Sequence, residues 1–432
     1  MASNNKKNIM LDTRPILIIA NSSWYLCHYR SLLIRQISLK NKLITIAPID
    51  KSSKELSKNS VFIPWRIHRS NDLNIFSLLL SFIKMLLLVR AIKPKLIHSH
   101  TLKTNLLASI VSSLYNIPCV FSFAGMGVLS RSGGMKLIYF KYALKIISFF
   151  AIHKRISRWI WSSKSLRTFL IFQNPLDKNI FEEMVSNFNK KNIKLIKGSG
   201  VPMKYLQNKK FLKINKWILE DINKNISEEL ITFIYCGRLI KSKGIKIFFE
   251  IMDYFPNSEG IIFGDIDPSS KDSLDNNDIK NLTLKYKNVS FRGNIQDPLL
   301  NINAHHPILL VPSSYGEGVS RTIIEAFSLK IPIICSKIAL SGIFNSQQLL
   351  FSESNLSKDY YHLICQIINE YKNKNKKLQK RLETGFENVN KNFTEKQIVK
   401  STLELYEILL QKNNSSYFIN KKNSGESFWL AQ

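Results

Sequence analysis

Acidic residues are scarce in the first half of this chain. Residues 1–200 hold 7 Asp and Glu against 31 Lys and Arg, whereas residues 201–432 hold 24 against 31. The formal net charge of +31 therefore sits mostly in one half. A half so basic is suited to something anionic: nucleic acid, a phosphorylated substrate or an anionic membrane surface. Cysteine is scarce as well. Cys27, Cys119, Cys236, Cys335 and Cys365 are odd in number, scattered, and set mostly in apolar runs. That pattern argues for buried free thiols in a reducing compartment and against a disulfide framework or a zinc site. No secretory leader is expected, because the first apolar run, residues 16–20, is only strand-length. No internal repeat is visible.

A membrane span needs roughly 20 apolar residues, and none is present. Residues 76–89 are very apolar but stop short and are interrupted by Lys84. Residues 134–161 interleave Lys136, Lys141, Lys145, Lys154, Arg155 and Arg158 with Tyr, Phe and Trp. Cations spaced through an aromatic helix fit an interfacial amphipathic element. A Lys-rich outer helix packed on a sheet is the alternative.

What is present is a folded composition, 45% hydrophobic, in a chain long enough for two domains. Short β-branched runs at 15–20, 43–47, 95–98, 119–123 and 192–196 alternate with helical patterns at 29–39, 75–92 and 103–114. That alternation predicts a parallel sheet covered on both faces. After a polar stretch at 205–229 the logic repeats, with strands expected at 231–236, 260–263, 289–292, 308–311 and 331–335. The expected division is one Rossmann-like domain at 1–203 and a second at 204–394. A helix at 395–412 would return to the first domain, followed by a polar tail at 413–432. Two doubly wound α/β domains imply a ligand cleft between them, at the carboxyl ends of the strands.

The segment from Val311 to Phe327 reads as a strand ending at Pro312, a Gly-rich turn, and a helix starting near Val319 or Ser320. Backbone amides at such a helix start, at the positive end of the dipole, suit a diphosphate. Gly318 lets the backbone approach a ligand with no Cβ in the way. Glu317 on the loop can accept from sugar hydroxyls, and Glu325 on the helix from a ribose diol. Carboxylates beside a diphosphate require cations. They appear in Gly237-Arg238 and Lys243-Gly244, again a strand followed by a loop into a helix. Arg238 offers a guanidinium fork for phosphate oxygens, and Lys243 a compact charge.

With these residues the sequence resembles the retaining nucleotide-sugar glycosyltransferases of the GT-B fold, in the large family numbered four. The strand–Gly-Arg–x4–Lys-Gly element and the downstream Glu-x7-Glu element of that family are both present. Tyr315 to Arg321 is similar to the branch that builds bacterial surface polysaccharides on polyprenyl diphosphate. So are Asn21 to Trp24 before Arg30, His98 to Lys103, and Phe123 to Gly127; the resemblance spans roughly residues 14–410. The resemblance implies that Arg238, Lys243 and Glu317 carry catalysis. Gly237, Gly318, Val319, Ser320, Arg321 and Glu325 would complete the donor site. On the acceptor side it implies His100, Thr101, Lys103, Gly125 and Asn174. It further implies a UDP-hexose or UDP-N-acetylhexosamine donor, a lipid-linked glycan acceptor at the inner face of the cytoplasmic membrane, and neither cofactor nor metal.

The chain departs from the family at two places. Ala124 stands where many members have histidine, and Pro202 follows Gly200-Val201 where Asp is usual. Three other features read more plainly as structure than as chemistry. Asp265-Ile266-Asp267 has the form of a metal-binding Asp-x-Asp but sits where a polar turn is expected. His305-His306 lacks further ligands at zinc spacing. Gln173-Asn174 either approaches the cleft or simply makes a turn before Pro175. Alternative readings are a nucleotide-sugar 2-epimerase, a lectin-like relative, and a basic nucleic-acid-binding protein. The last lacks recognisable recognition motifs, so no nucleic-acid partner is expected.

Overall fold

The computed structural model describes residues 12–67, 75–126, 134–152, 154–155, 161–162, 168–208, 231–268, 270, 272–304, 306–314, 316, 318–372 and 376–411. Two parallel sheets organise them. The first is built from β1 (Ile16–Ile19), β2 (Leu43–Ala47), β3 (Val61–Pro64), β4 (Leu96–His100) and β5 (Cys119–Phe123). After a short antiparallel pair, β6 (Lys154–Arg155) with β7 (Trp161–Ser162), it is completed by β8 (Thr168–Phe172) and β9 (Ile193–Leu195). Its order is β3-β2-β1-β4-β5-β8-β9. The second contains β10 (Thr232–Cys236), β11 (Glu259–Phe263), β12 (Val289–Gly293), β13 (Pro307–Val311), β14 (Ile333–Ser336) and β15 (Leu350–Ser352). Its order is β12-β11-β10-β13-β14-β15.

These orders follow from the residues. β1, β5, β8 and β13 are buried along their whole length, as runs of Ile, Leu, Val and Phe with helices on both faces should be. Strand order reverses between β1 and β4 in the first sheet and between β10 and β13 in the second. At such switch points the loops at the strand ends diverge and leave a crevice. The two motif-bearing loops of the second half, after β10 and after β13, flank its switch point. In the first half the segments after β1 and β4 do the same.

Every strand expected from sequence appears within two residues of its expected place, and β3, β6, β7, β8 and β15 are additional. The helix expected at 29–39 is found at Ser31–Ser38, and a further helix, Ser23–Tyr29, precedes it. They break at Arg30, whose φ of −133° makes it the C-cap of one and the N-cap of the other. The expected strand 95–98 runs on to His100, because the polar Ser99 and His100 are buried.

The final helix, Glu395–Gln411, leaves the second domain and packs on the first. Ile398, Val399, Leu405, Tyr406 and Leu409 are buried in one cluster with Ile16, Ile18 and Val120. Each such side chain contributes roughly 1.5–3 kcal/mol as an upper figure. The outgoing and returning segments cross side by side: Val201 N–H donates to Phe393 O at 2.8 Å, and Glu395 N–H donates to Val201 O at 3.0 Å. Gly200, at φ +81°, is required there, because a Cβ would lie 2.6 Å from the Glu395 backbone. Met203–Leu206 already belongs to the second domain, with Val201, Tyr205 and Leu206 in its core. Among the described residues, no helix is long and apolar enough to cross a membrane.

Candidate active site

The two loops of the second domain are stitched together. Ser314 donates from both its N–H (2.9 Å) and its Oγ (3.0 Å) to the carbonyl of Ser242. Gly244, at φ +78°, packs so closely that a Cβ would lie 2.0 Å from Pro312 O. Asp272 holds the other side of the 238–244 loop, its carboxylate accepting from Ser242 N–H at 3.0 Å and its carbonyl from Lys241 N–H at 2.8 Å. Gly264 fits under Gly237 O, where a Cβ would come within 1.9 Å. Gly237 itself has room: a Cβ there would meet nothing nearer than Tyr235 Oη at 3.8 Å. The bearers of Arg238 and Lys243 are thus clamped against the Gly-rich turn after β13.

Arg238 donates from Nη1 to Asp267 Oδ2 at 2.6 Å, a half-buried ion pair. The Asp-x-Asp element therefore supplies a carboxylate that orients this arginine. Among the described residues no three His, Cys, Asp or Glu side chains gather as a metal site. Lys243 ends the 3-10 turn Lys241–Lys243, one residue before Gly244. Burial pushes the Cys236 thiol far above its usual range; the Glu325 carboxylate adds to the shift and the Lys243 ammonium opposes it. The Glu325 carboxylate and the Lys243 ammonium are thus both felt, with opposite sign, at the end of β10.

The helix after the turn is Arg321–Ser328, one residue later than expected, with Ser320 as its N-cap. Ser320 gives no side-chain bond to the first-turn amides, which leaves them without a side-chain cap. Glu325 is only 6% exposed, and burial raises its pKa against the pull of Arg321. Arg321 donates from Nε to Glu325 Oε1 at 2.7 Å and from Nη1 to His28 O, and lies over the Tyr29 ring at 5.1 Å. Arg321 thus ties Glu325 to the first domain. Val319 packs on Gly198, and Gly318 is crowded by Gln173 and Ala124, which a Cβ would meet at 2.7 and 3.2 Å. Glu317 and Tyr315 lie outside the described residues, as does His305.

On the facing side, Asn174 is 1% exposed and does three things. Its Oδ1 accepts from Asp177 N–H at 2.7 Å as N-cap of the Pro175–Met184 helix. Its Nδ2 donates to Asp177 Oδ2 at 2.9 Å and, across the cleft, to Gly318 O at 2.8 Å. Asp177 Oδ2 also accepts from Met126 N–H at 3.0 Å, which holds the turn at Gly125 (φ +111°). Asp177 thus joins the loop after β5 to the donor loop, a role sequence alone did not reveal. The only signal in the sequence is an acid three residues after an Asn-Pro helix start.

His100 and Thr101 stand at the end of β4. Thr101, at φ +80°, is strained for a residue with a Cβ and caps the Leu102–Tyr115 helix. Lys103 lies half-buried in that helix's first turn. His100 is fully buried; its Nδ1 meets Tyr25 Oη at 3.3 Å, and its Nε2 has no hydrogen-bond partner among the described residues. His98 is held between Tyr406 Oη at 2.5 Å and Ser122 Oγ at 2.7 Å. Burial lowers both imidazoles well below the usual range, so both are neutral at pH 7.

Two family profiles match this architecture domain by domain. Residues 15–158 match the family described as "Glycosyl transferase 4-like", and residues 231–370 match "Glycosyl transferases group 1". The chain is a glycosyltransferase of the GT-B fold. It is similar to the capsular polysaccharide biosynthesis glycosyltransferase CapM of Staphylococcus aureus, with 24% identity over 77% of this chain and 82% of the relative. Among solved structures, HepE of Anabaena in complex with UDP superimposes with a TM-score of 0.65 at 15% identity, over 91% of this glycosyltransferase and 100% of that chain. The lipopolysaccharide outer core galactosyltransferase WaaB superimposes with a TM-score of 0.59 at 13% identity, over 91% and 99%. At such identities the structural likeness speaks for the fold.

Proposed function

We propose that the enzyme moves a hexose or N-acetylhexosamine from a UDP-sugar, with retention, to a polyprenyl-diphosphate-linked or other membrane glycan acceptor in surface polysaccharide synthesis. The observation that carries the donor half is the stitching of the Arg238–Lys243 loop to the turn at Gly318 across one switch point. Cations on one loop and helix-start amides on the other are the groups that binding a diphosphate requires. Arg238 and Lys243 bind the diphosphate, Glu325 accepts from the ribose, and Glu317 with the amides of Gly318 and Val319 positions the sugar. A relative named for capsular polysaccharide biosynthesis and a structural neighbour bound to UDP are consistent with this choice.

In the reaction, the bond from the sugar's anomeric carbon to the diphosphate oxygen breaks. A bond to the acceptor oxygen forms on the same face, and the acceptor's proton passes to the departing diphosphate. The protein's work is to stabilise charge on the leaving group, which requires no metal in this reading. The acceptor binds beside Thr101, Lys103 and Gly125; His100 and Asn174, expected to touch it, are buried and act by holding these loops in place. The enzyme works as a peripheral protein on the inner face of the cytoplasmic membrane, its basic first domain toward the anionic leaflet, where each Lys or Arg adds about 1 kcal/mol.

The test is incubation with a panel of nucleotide sugars, with and without native membrane lipid extract. Release of UDP that depends on the extract, with the sugar recovered in the lipid fraction, is the expected result. An altered nucleotide sugar formed without extract would make it an epimerase and overturn the proposal.

A further inference from the structure

The helices Ile75–Ile92, Leu102–Tyr115 and Gly134–Ile152 cover one face of the first sheet and share one core, into which Met85, Val111 and Leu144 point. Their outward sides are unusual. On the first helix Phe76, Leu79, Leu80, Ile83 and Leu87 are 43–68% exposed, at the three- and four-residue spacing of a single stripe. On the third, Ile138, Tyr139, Tyr142, Ile146 and Phe149 are 38–61% exposed. Between them the middle helix shows the half-buried Leu106, Ile110 and Leu114. Ten of the 21 exposed large apolar side chains among the described residues thus lie on two helices. Scattered exposed apolar residues need no explanation, but clustering on this scale marks a binding surface.

Charge identifies the occupant. Lys84, Arg90, Lys141 and Lys145 are exposed on the same helices, and the sequence has no Asp or Glu between Asp72 and Asp177. A second copy of the chain packed on this face by two-fold symmetry would oppose cation to cation with no carboxylate to compensate. An anionic bilayer satisfies both features: aliphatic and tyrosine side chains enter the headgroup boundary while lysines meet lipid phosphates. We infer that the outward side of these three helices is the surface by which the enzyme docks on an anionic lipid bilayer. The inference rests on the proposed membrane location and gives it an address. A cavity of about 70 Å³ bounded by Leu102, Phe123, Met126 and Phe140 opens beside Thr101 and Gly125. One end of the docking face therefore reaches the acceptor side of the cleft.

The experiment is flotation of the full-length enzyme with vesicles of phosphatidylethanolamine and phosphatidylglycerol, or of phosphatidylcholine alone, alongside a UDP titration of each protein. The wild type should float with the anionic vesicles. The pair Ile83→Ser/Leu87→Ser and the pair Tyr142→Ser/Ile146→Ser should each weaken that binding about tenfold or more. The pair Lys141→Gln/Lys145→Gln should weaken it about 25-fold, with no effect on phosphatidylcholine. UDP affinity should be unchanged throughout. Variants that float like the wild type would overturn the inference. So would a dimer by light scattering that the Ser pairs turn into monomer. A wild type that binds UDP but no vesicles would sink the docking face while leaving the donor site standing.

Discussion

Gly244→Ala puts the stitched donor loops to a quantitative test. Its Cβ would stand 2.0 Å from Pro312 O, and real Cβ contacts stay beyond about 3 Å, so the two loops must part by about 1 Å. The residue also holds φ at +78°, which costs a side chain about 1–2 kcal/mol. With overpacking of about 1–3 kcal/mol, the expected loss of stability is about 2–5 kcal/mol, within the margin of a folded domain. A displacement of about 1 Å between diphosphate-binding groups costs about 100-fold in rate. Urea unfolding and initial rates of UDP release in the presence of lipid extract would read the two effects separately. Gly237→Ala is the control, since its Cβ meets nothing nearer than 3.8 Å and its unfolding midpoint should stay put. A Gly244→Ala enzyme that loses stability yet turns over at the wild-type rate would refute the claim that the loops act as one site.

Other consequences can be checked alongside. Asp177→Ala strips the acceptor from Met126 N–H and from Asn174 Nδ2, so about 2–4 kcal/mol of stability should go, measured by urea. Because Asn174 also holds Gly318 O, the KM for donor should rise as well; Asp177→Asn should recover part of both, and an unchanged KM would count against the role. Arg321→Met leaves Glu325 buried without its cation, a cost of about 3–5 kcal/mol. The folded-state pKa of Glu325 is raised, so the deficit should be greatest at high pH and shrink as pH falls; a deficit independent of pH would contradict the pairing. His98 and His100 are held neutral by burial, with folded pKa values below the unfolded ones. The unfolded state therefore takes up protons first as pH drops below about 6.5, and each histidine should cost about 1.4 kcal/mol per pH unit. Replacing His100 with Gln should flatten that slope in urea melts between pH 6.5 and 5, and an unaltered slope would count against it.

How far the sequence revealed this arrangement depended on whether a residue's neighbours were near in the chain. Apolar runs such as β1, β2, β5 and β13 were legible because burial on both faces leaves only one kind of side chain. β4 was cut short at His98, since nothing local says that Ser99 and His100 are buried or that Tyr406, 308 residues from His98, receives its imidazole. The donor loops were legible because glycine, cations and carboxylates recur at strand ends. Their stitching through Ser242 and Ser314 was not, as two serines 72 residues apart carry no local signal. Arg321 was legible only as part of the donor motif; its reach to His28 depends on how the domains meet. The same dependence hid Asp177, whose carboxylate meets Met126 from another loop and is tied to Gly318 only through Asn174.

The structure also refines which variants probe the donor site. Glu325→Ala would leave Arg321 buried and unpaired, confusing a binding defect with a folding one, whereas Glu325→Gln preserves an acceptor and the shape. The most direct measurement is transfer from a UDP-sugar to native lipid acceptor by wild type, Lys243→Ala and Glu325→Gln, each verified as folded by urea melting. A diphosphate clamp predicts wild-type melting for Lys243→Ala with turnover lowered at least about 100-fold, and a smaller but clear loss for Glu325→Gln. Near-normal transfer by a folded Lys243→Ala enzyme would contradict it.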